Sequence, residues 1–331
     1  MTHRDNPVII GATINNAQAC ATGGVAMGVN TAQIELFPGF AHSTVPVGGT
    51  GEDIFIHCAH GGSGPPVLLL HGYPQTHAIW HKVAPQLAER HTVVCADLRG
   101  YGDSSKPAGL PDHANYSKRV MALDQVRLME ALGFTRFAVV GHDRGGRVAH
   151  RMARDHRERV SRLCVLDISP TLTMYEQTDM AFAQAYYHWF FLIQPSPQPE
   201  TLIGHDPGFY LRWKTGGWGS KGHAHFAPAA YAEYERCFAD PAAIHATCED
   251  YRAAASIDLE HDRADLAEKI SCPLLALWGE RGVVHRLFRP LADWSAVATD
   301  VRGKTLPSGH YIPEEVPDQL LAELLPFLAG S

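Results

Sequence analysis

A six-residue segment between an apolar run and a helical stretch constrains the fold of this chain more than any other feature. It reads Gly141-His142-Asp143-Arg144-Gly145-Gly146 and follows the apolar run Phe137–Gly141. The spacing matches a sharp strand-to-helix turn that exposes its central side chain above a sheet. Small residues on both sides allow the strand and the helix to pack closely around such a strained turn. The segment therefore predicts an α/β fold in which Asp143 is exposed above the sheet.

Apolar runs and helical stretches alternate along much of the chain from Leu36 onward. The predicted strands are Val67–His71, Val93–Asp97, Phe137–Gly141, Leu163–Asp167 and Leu274–Trp278. The predicted helices are Tyr116–Leu132, which stops at Gly133, Gly145–His156 and Pro317–Leu328. Strands that alternate with helices predict a mostly parallel sheet with helices on both faces.

The alternation breaks in residues 170–262, which are rich in aromatic residues and proline and show no clear strand. We interpret this block as a mainly helical cap domain inserted into a core that comprises residues 36–169 and 263–331. Residues 1–35 are poor in aromatic residues and have no clear period. We expect them to form an N-terminal extension outside the main fold, and their composition is compatible with disorder.

Charge and cysteine usage narrow the class of function. The 331 residues carry a formal net charge of −7, which argues against a general nucleic-acid binder. The seven cysteines form no C-x-x-C pair, as is typical of reduced thiols in the cytoplasm. Apolar runs such as Val67–Leu70 are too short to span a membrane. We expect a cytoplasmic protein with a small-molecule ligand and no nucleic-acid or membrane partner.

The aspartate at the centre of the turn determines the predicted reaction. Asp143 stands where a serine esterase would have Ser, and the chain has no G-x-S-x-G elsewhere. A carboxylate can attack a saturated carbon and displace a leaving group, which leaves an ester on the enzyme. Hydrolysis of that ester needs a general base. His310 is the candidate, because it follows the presumed last strand and precedes the last helix. A tight turn with an incidental Asp, and a surface histidine, are the structural alternatives.

The acid that would orient His310 is less obvious from the sequence. The segment after the cap, Trp278-Gly279-Glu280-Arg281-Gly282, has Gly where an Asp is often found. We therefore assign the role to Asp167, at the end of the strand before the cap. Glu280 and Asp293 are the competing candidates.

The oxyanion that forms during ester hydrolysis needs backbone N–H donors. One is expected from Arg144, the residue after the nucleophile. The other is expected from His71-Gly72-Tyr73-Pro74, most naturally from Tyr73, with His71 and Gly72 in structural roles.

Arg144 and Arg147 place two guanidinium groups one helical turn apart beside the carboxylate nucleophile. They could be salt-bridge partners at the start of a helix. We favour a second role, in which they bind a substrate carboxylate, because an anionic substrate cannot approach Asp143 without local positive charge. Further along, Arg151, Arg154, Arg157 and Arg159 are expected to form a solvated face.

Taken together, the motifs resemble the fluoroacetate (haloacetate) dehalogenases of the α/β-hydrolase superfamily, from about Leu36 to the C-terminus. The segments that carry the resemblance are Val93–Gly102, Gly141–Arg147 with its Asp-Arg-x-x-Arg core, Leu166–Ile168, His188-Trp189 and Asp250–Ala253. The resemblance implies an α/β-hydrolase fold and the hydrolysis of haloacetates, including fluoroacetate, to glycolate and halide through an ester on Asp143. It also implies a homodimer and no metal or organic cofactor.

The resemblance also implies a role for individual residues. Asp143, His310 and Asp167 would be nucleophile, base and orienting acid, and Arg144 and Arg147 would hold the substrate carboxylate. His188, Trp189 and Tyr251 would donate hydrogen bonds to the departing halide. Fluoride is a poor leaving group, so several pre-placed donors make physical sense.

Two alternative functions stay open at this stage. An epoxide hydrolase or neutral haloalkane dehalogenase would share the aspartate turn, but such enzymes usually have Trp where this chain has Arg144. A non-catalytic receptor of the same fold could bind a small carboxylate, although the intact set of Asp143, Asp167 and His310 argues against it.

Overall fold

The computed structural model describes residues 36–49 and 53–330, so the expected N-terminal extension lies outside the described residues. The strands are β1 Ala41–Pro46, β2 Phe55–Gly62, β3 Pro66–Leu70, β4 Thr92–Ala96, β5 Phe137–His142, β6 Val160–Leu166, β7 Leu274–Gly279 and β8 Val301–Leu306. They form one sheet in the order β1-β2-β4-β3-β5-β6-β7-β8. The six strands β3 to β8 run parallel to one another, whereas β2 pairs with β4 in the antiparallel direction. The sheet confirms the predicted fold class.

The helices cover the sheet and fill the segment between β6 and β7. Before the cap they are α1 Ala84–Leu87, α2 Lys118–Ala131 and α3 Arg144–Asp155. Between β6 and β7 lie α4 Thr171–Glu176, α5 Met180–Ala185, α6 Tyr187–Leu192, α7 Gln198–His205, α8 Pro207–Thr215, α9 Pro228–Phe238, α10 Pro241–Ala254 and α11 Ile257–Ala264. After β7 lie α12 Val283–Leu287, α13 Pro290–Val297, α14 Ile312–Glu315 and α15 Pro317–Ala329. Two short 3-10 helices span His77–Trp80 and Ala114–Tyr116.

Each predicted strand and helix corresponds to an observed element, with ends that differ by a few residues. The helix α2 illustrates why the local sequence was sufficient. The hydroxyl of Ser117 caps its N-terminus by accepting a hydrogen bond from the N–H of Val120. Gly133 follows its C-terminus at a φ of +90°, a conformation that favours glycine.

The antiparallel hairpin of β1 and β2 was not predicted. The side chains of β1 range only from half-buried to exposed, and its sequence AHSTVP has no apolar run. Periodicity therefore gave a weak signal there. The hairpin is held by its pairing with β2, which in turn pairs with the buried strand β4.

The arginines beyond the first turn of α3 correct the prediction of a solvated face. The side chains of Arg151 and Arg154 are only 3% and 6% exposed. Arg151 pairs with Asp155 and with Asp265, and Arg154 donates to the backbone carbonyl of Asp265 at 2.9 Å. Asp265 immediately follows α11, so a partner distant in sequence covers this part of the helix and the prediction was wrong for Arg151 and Arg154. Arg157 is exposed, as expected, and Arg159 is half-buried.

The candidate site residues follow the carboxyl ends of parallel strands, which all lie along one edge of the sheet. Tyr73, Asp143, Asp167 and His310 follow β3, β5, β6 and β8. Carboxyl ends of parallel strands meet at the same edge, which is where ligands bind in open α/β sheets. Between β6 and β7 the described residues form helices without a strand, and these helices contribute the other side of the site. The exact limits of the cap domain stay a prediction.

Candidate active site

The turn after β5 holds Asp143 in a strained backbone conformation. Its φ is +46° and its ψ is −113°, outside the regions that non-glycine residues ordinarily adopt. The glycines around it are required by close contacts. A Cβ atom on Gly141 would lie 2.4 Å from the carbonyl oxygen of Gly145, and a Cβ atom on Gly145 would lie 2.4 Å from that of His71. Strand, turn and helix can pack this tightly only with glycine at both positions.

The carboxylate of Asp143 is buried and positioned by a backbone donor. The N–H of Tyr73 donates to its Oδ1 at 2.9 Å. Burial alone would raise the pKa of Asp143, but the positive charges of His310 and Arg147 outweigh burial and hold that pKa below its usual range. The carboxylate is therefore ionised at neutral pH, as a nucleophile must be.

His310 and Asp167 form a hydrogen-bonded pair next to this carboxylate. The Nδ1–H of His310 donates to Oδ2 of Asp167 at 2.6 Å, and the N–H of Gly279 donates to Oδ1 at 3.0 Å. Burial raises the pKa of Asp167, and the hydrogen bond from His310 opposes that rise. Burial lowers the pKa of His310, but the bond and charge of Asp167 dominate and raise it overall.

The two competing acids lie elsewhere. Oδ2 of Asp293 accepts a hydrogen bond from Ser169 at 2.7 Å, and Glu280 is exposed. The structure thus brings Asp167 to His310, as the sequence indicated. The roles of these residues in catalysis stay a prediction.

The guanidinium group of Arg144 is fully buried and paired with an acid of the cap. Its Nε and Nη2 donate to the two carboxylate oxygens of Asp250 at 2.8 and 2.7 Å. Among the described residues, its Nη1 has no hydrogen-bond partner. The structure therefore shows the salt-bridge interpretation of Arg144, and its binding of a substrate carboxylate stays a prediction.

Arg147 is held in a different way, by uncharged groups rather than by a carboxylate. Its Nη1 donates to Oγ1 of Thr171 at 3.0 Å, and its Nη2 lies 3.3 Å from the sulfur of Met174. Its Nε has no partner within the part of the chain that the structure describes. Each of the two arginines thus has one unpartnered nitrogen within the described residues, Nη1 of Arg144 and Nε of Arg147.

A cavity of about 160 Å³ lies in front of Asp143 and His310. The other lining residues are Tyr186, His188, Trp218 and Tyr251. Almost none of that space is wide enough for a water molecule, so the lining side chains close tightly around the site.

Two of the three predicted halide donors, His188 and Tyr251, line this cavity. Trp189 does not line it, and its ring centroid lies 6.4 Å from that of Tyr251. Nδ1 of His188, Nε1 of Trp189 and the hydroxyl of Tyr251 are buried and have no partner among the described residues. Burial holds the pKa of His188 well below its usual range, so its ring is neutral at pH 7.

Asp250 is a buried residue of the candidate site whose contacts sequence reasoning missed. It lies directly before Tyr251 on α10, and it binds Arg144 and the ammonium of Lys118 together. Those two positive charges overcome burial and hold the pKa of Asp250 far below its usual range. The only available signal was the segment Asp250–Ala253 of the resemblance, which did not indicate a partner.

Comparisons with known proteins agree with this geometry. Residues 65–310 match the model of the alpha/beta hydrolase fold family. The chain is 50% identical over 296 residues to the fluoroacetate dehalogenase of a Burkholderia species, an alignment that covers 89% of this chain and 96% of the relative. It is 35% identical over 278 residues to a soluble epoxide hydrolase of Corynebacterium sp. (strain C12), covering 83% and 93%.

The fold also matches solved structures closely. One from Nostoc sp PCC 7120, described as an alpha/beta hydrolase, has a TM-score of 0.86 and 56% identity over 88% of this chain and 99% of its own. The class is that of an α/β hydrolase with an aspartate at the nucleophile turn. Within that class, the chain belongs to the fluoroacetate dehalogenase family.

Proposed function

We propose that the protein hydrolyses haloacetates, including fluoroacetate, to glycolate and halide. The observation that carries the proposal is a buried, ionised Asp143 that faces a small cavity surrounded by groups able to donate hydrogen bonds. A cavity of this kind suits a small anion with a leaving group that becomes negative. The 50% identical fluoroacetate dehalogenase supports the same substrate class.

In the first step, the carboxylate of Asp143 attacks the carbon that bears the halogen. Oδ1 is held by the N–H of Tyr73, so Oδ2 is the attacking oxygen. The C–O bond forms as the carbon–halogen bond breaks, and the halogen leaves with the bonding electron pair. Unpartnered nitrogens of Arg144 and Arg147 hold the substrate carboxylate and offset its repulsion from Asp143.

In the second step, water hydrolyses the ester. Nδ1 of His310 is bound to Asp167, which leaves Nε2 to take a proton from the water as it attacks the ester carbon. The ester carbonyl oxygen is Oδ1, and the N–H groups of Tyr73 and Arg144 stabilise the negative charge that develops on it. Collapse releases glycolate, regenerates the Asp143 carboxylate, and leaves one proton to pass to solvent.

The halide receives its hydrogen bonds from the cap. Neutral His188, Trp189 and Tyr251 supply N–H, N–H and O–H groups that no other described residue engages at the atoms concerned. Donors that are already in place cost no reorganisation when charge develops on fluoride.

A single turnover in heavy-oxygen water tests the covalent mechanism. Enzyme in excess over fluoroacetate should release fluoride, and the peptide that contains Asp143 should then gain one heavy oxygen. Label in glycolate alone, with none in that peptide, would mean that water attacks the substrate directly.

The epoxide hydrolase relative makes ring opening the second candidate activity. The same enzyme preparation is therefore assayed for halide release from chloroacetate and from a chloroalkane, and for opening of styrene oxide. We expect turnover of chloroacetate only. Turnover of styrene oxide alone would favour the epoxide hydrolase, and binding of haloacetate without turnover would favour a receptor.

We also propose that the protein is a cytoplasmic homodimer. Leu202, Phe209 and Trp213 project exposed apolar side chains from the consecutive helices α7 and α8, which supports an interface there. Five of the six described cysteines are buried and all six are free, as a reducing compartment would permit. None of the described helices has both the length and the apolar character of a membrane span. Light scattering after size exclusion tests the dimer, and a monomeric mass would contradict it.

A further inference from the structure

Three histidine side chains converge at the edge of the sheet that carries the β1–β2 hairpin. His42 lies on β1, His57 on β2, and His77 at the start of the 3-10 helix His77–Trp80. One ring nitrogen from each lies within 4.8 Å of the other two. None of the three lines the cavity in front of Asp143.

The strand register explains why two of the rings share a face. His57 pairs with Thr44 and His42 pairs with Ala59, so the two histidines are diagonal neighbours. Residues at even spacing along a strand point to the same side of the sheet, which places both rings toward His77. Their ring centroids lie 5.2–6.0 Å from one another and from that of His77.

The converging nitrogens are buried and lack hydrogen-bond partners. Within the described residues this holds for Nε2 of His57, Nε2 of His77 and both ring nitrogens of His42. The exposed fractions of His57 and His77 are only 7% and 0%. Buried polar atoms nearly always have a partner, so this concentration of unpartnered nitrogens needs an explanation.

The remaining nitrogen of His77 is held by a buried carboxylate. Its Nδ1–H donates to Oδ1 of Asp97 at 2.9 Å, and its backbone N–H donates to the same oxygen at 2.7 Å. This contact fixes the ring and directs Nε2 into the cluster. A carboxylate that orients a histidine through its outer nitrogen is typical of metal ligands.

We propose that His42, His57 and His77 form a binding site for one divalent transition-metal ion of the zinc type. Three neutral imidazoles suit zinc, copper, nickel and cobalt, and a water molecule would supply a fourth ligand. Tetrahedral bonds of about 2.0–2.1 Å place ligand nitrogens roughly 3.4 Å apart, so the rings need to close by small rotations.

The ion would join β1 and β2, which are paired through their backbones, to the 3-10 helix His77–Trp80. It would fasten the edge hairpin to the segment between β3 and α1, which also contains Tyr73, the backbone donor to Asp143. Its role is therefore structural, and the proposed chemistry at Asp143 does not pass through it.

The test uses the untagged full chain, treated with a chelator and dialysed, and then titrated with Zn²⁺ and Co²⁺. We expect one equivalent of either ion per chain, visible absorption bands of Co²⁺ in a nitrogen-rich four-coordinate site, and a higher melting temperature with Zn²⁺. His42→Gln removes one of the three proposed ligands. We expect the affinity for Zn²⁺ to decrease by about 100-fold or more, because the loss of a residue that only orients a metal ligand already costs about 10- to 100-fold.

The matched control is His60→Gln. His60 lies on the same strand as His57 but faces the opposite side of the sheet, where Nε2 lies 2.9 Å from the hydroxyl of Ser43. This variant should bind Zn²⁺ as the unmodified protein does. Equal affinity in the His42→Gln variant, or an equal loss in the control, would overturn the proposal. If the His42→Gln variant fails to fold, the Co²⁺ spectrum of the unmodified protein still decides, because the lack of a stoichiometric coordinated species overturns it.

Discussion

The core half and the cap half of the candidate active site satisfy their polar groups in opposite ways. On the core side, the N–H of Tyr73 binds Asp143, and Asp167 binds both His310 and the backbone of Gly279. On the cap side, the donor atoms of the predicted halide site are buried without partners among the described residues.

The difference fits the two tasks that we propose for the two parts of the fold. Groups at the ends of parallel strands are fixed by hydrogen bonds within the core, as the proposed acid–base and nucleophilic chemistry requires. Groups on the cap helices keep their hydrogen-bonding capacity for a ligand, and buried donors without partners favour an occupant that accepts from them. We therefore expect core substitutions to abolish turnover and cap substitutions to change selectivity.

The largest effect is expected from His310→Ala on the core side. Without the base, Asp143 can still form the ester but water is not activated, so steady-state turnover should fall by about 10⁴-fold or more. Mass spectrometry of the intact protein should show the trapped carboxymethyl ester after incubation with chloroacetate. Retained turnover without any adduct would remove His310 from its role.

A smaller loss is expected from Arg144→Lys, which lies where the two halves meet. Lysine retains the charge opposite Asp250 but cannot bind Asp250 and a substrate carboxylate through separate planar N–H groups. KM for chloroacetate should rise by about 10- to 100-fold, with a smaller change in kcat. Arg157→Lys is the control, because Arg157 is exposed just beyond the end of α3. An unchanged KM in the Arg144 variant would show that the guanidinium serves only the salt bridge.

Trp189→Phe tests the cap half alone. The substitution removes one N–H donor and keeps most of the aromatic packing, so defluorination should decrease about 10-fold more than dechlorination. Initial rates of halide release from fluoroacetate and chloroacetate give the ratio. Trp213→Phe changes an exposed tryptophan of the cap and should leave the ratio unchanged. Equal losses on both substrates in the Trp189 variant would contradict its assignment as a halide donor.

The smallest effect concerns the pH profile. His310 must be neutral to accept a proton, and its pKa is raised by Asp167, so the rate of ester hydrolysis should increase with pH through a midpoint above about 6.5. In Asp167→Asn the raising charge is lost, so this midpoint should move to lower pH while the maximal rate falls. Pre-steady-state hydrolysis of the ester between pH 5 and about 9 measures the shift. A midpoint that stays in place would mean that another group limits the rate.

Local sequence was sufficient to predict those features whose physical cause lies within one short segment. The turn at Asp143 follows from glycines that leave no room for a Cβ atom, and the end of α2 follows from Ser117 and Gly133. The position of Asp167 at a strand end and of His310 before the last helix could likewise be predicted. The family resemblance added the cap residues, for which spacing alone gave no evidence.

Pairing between distant segments could not be predicted. Arg151 and Arg154 were expected in solvent but are buried, because Asp265 comes from beyond the cap. Asp250 neutralises Arg144 across 106 residues of chain. The three histidines of the proposed metal site belong to a weakly patterned hairpin and a 3-10 helix, so nothing in their spacing joins them.

The sequence by itself determined the nucleophile turn, the alternating core and the family, because each depends on residue types within a few positions of one another. Only the tertiary structure decided which arginine nitrogens and which donors of the cap lack a partner among the described residues, and where three imidazoles converge. These properties depend on burial and on charges brought together from remote elements. The charge and hydrogen-bonding capacity that a polar side chain offers to a ligand depend on the partners it already has, and folding determines those partners.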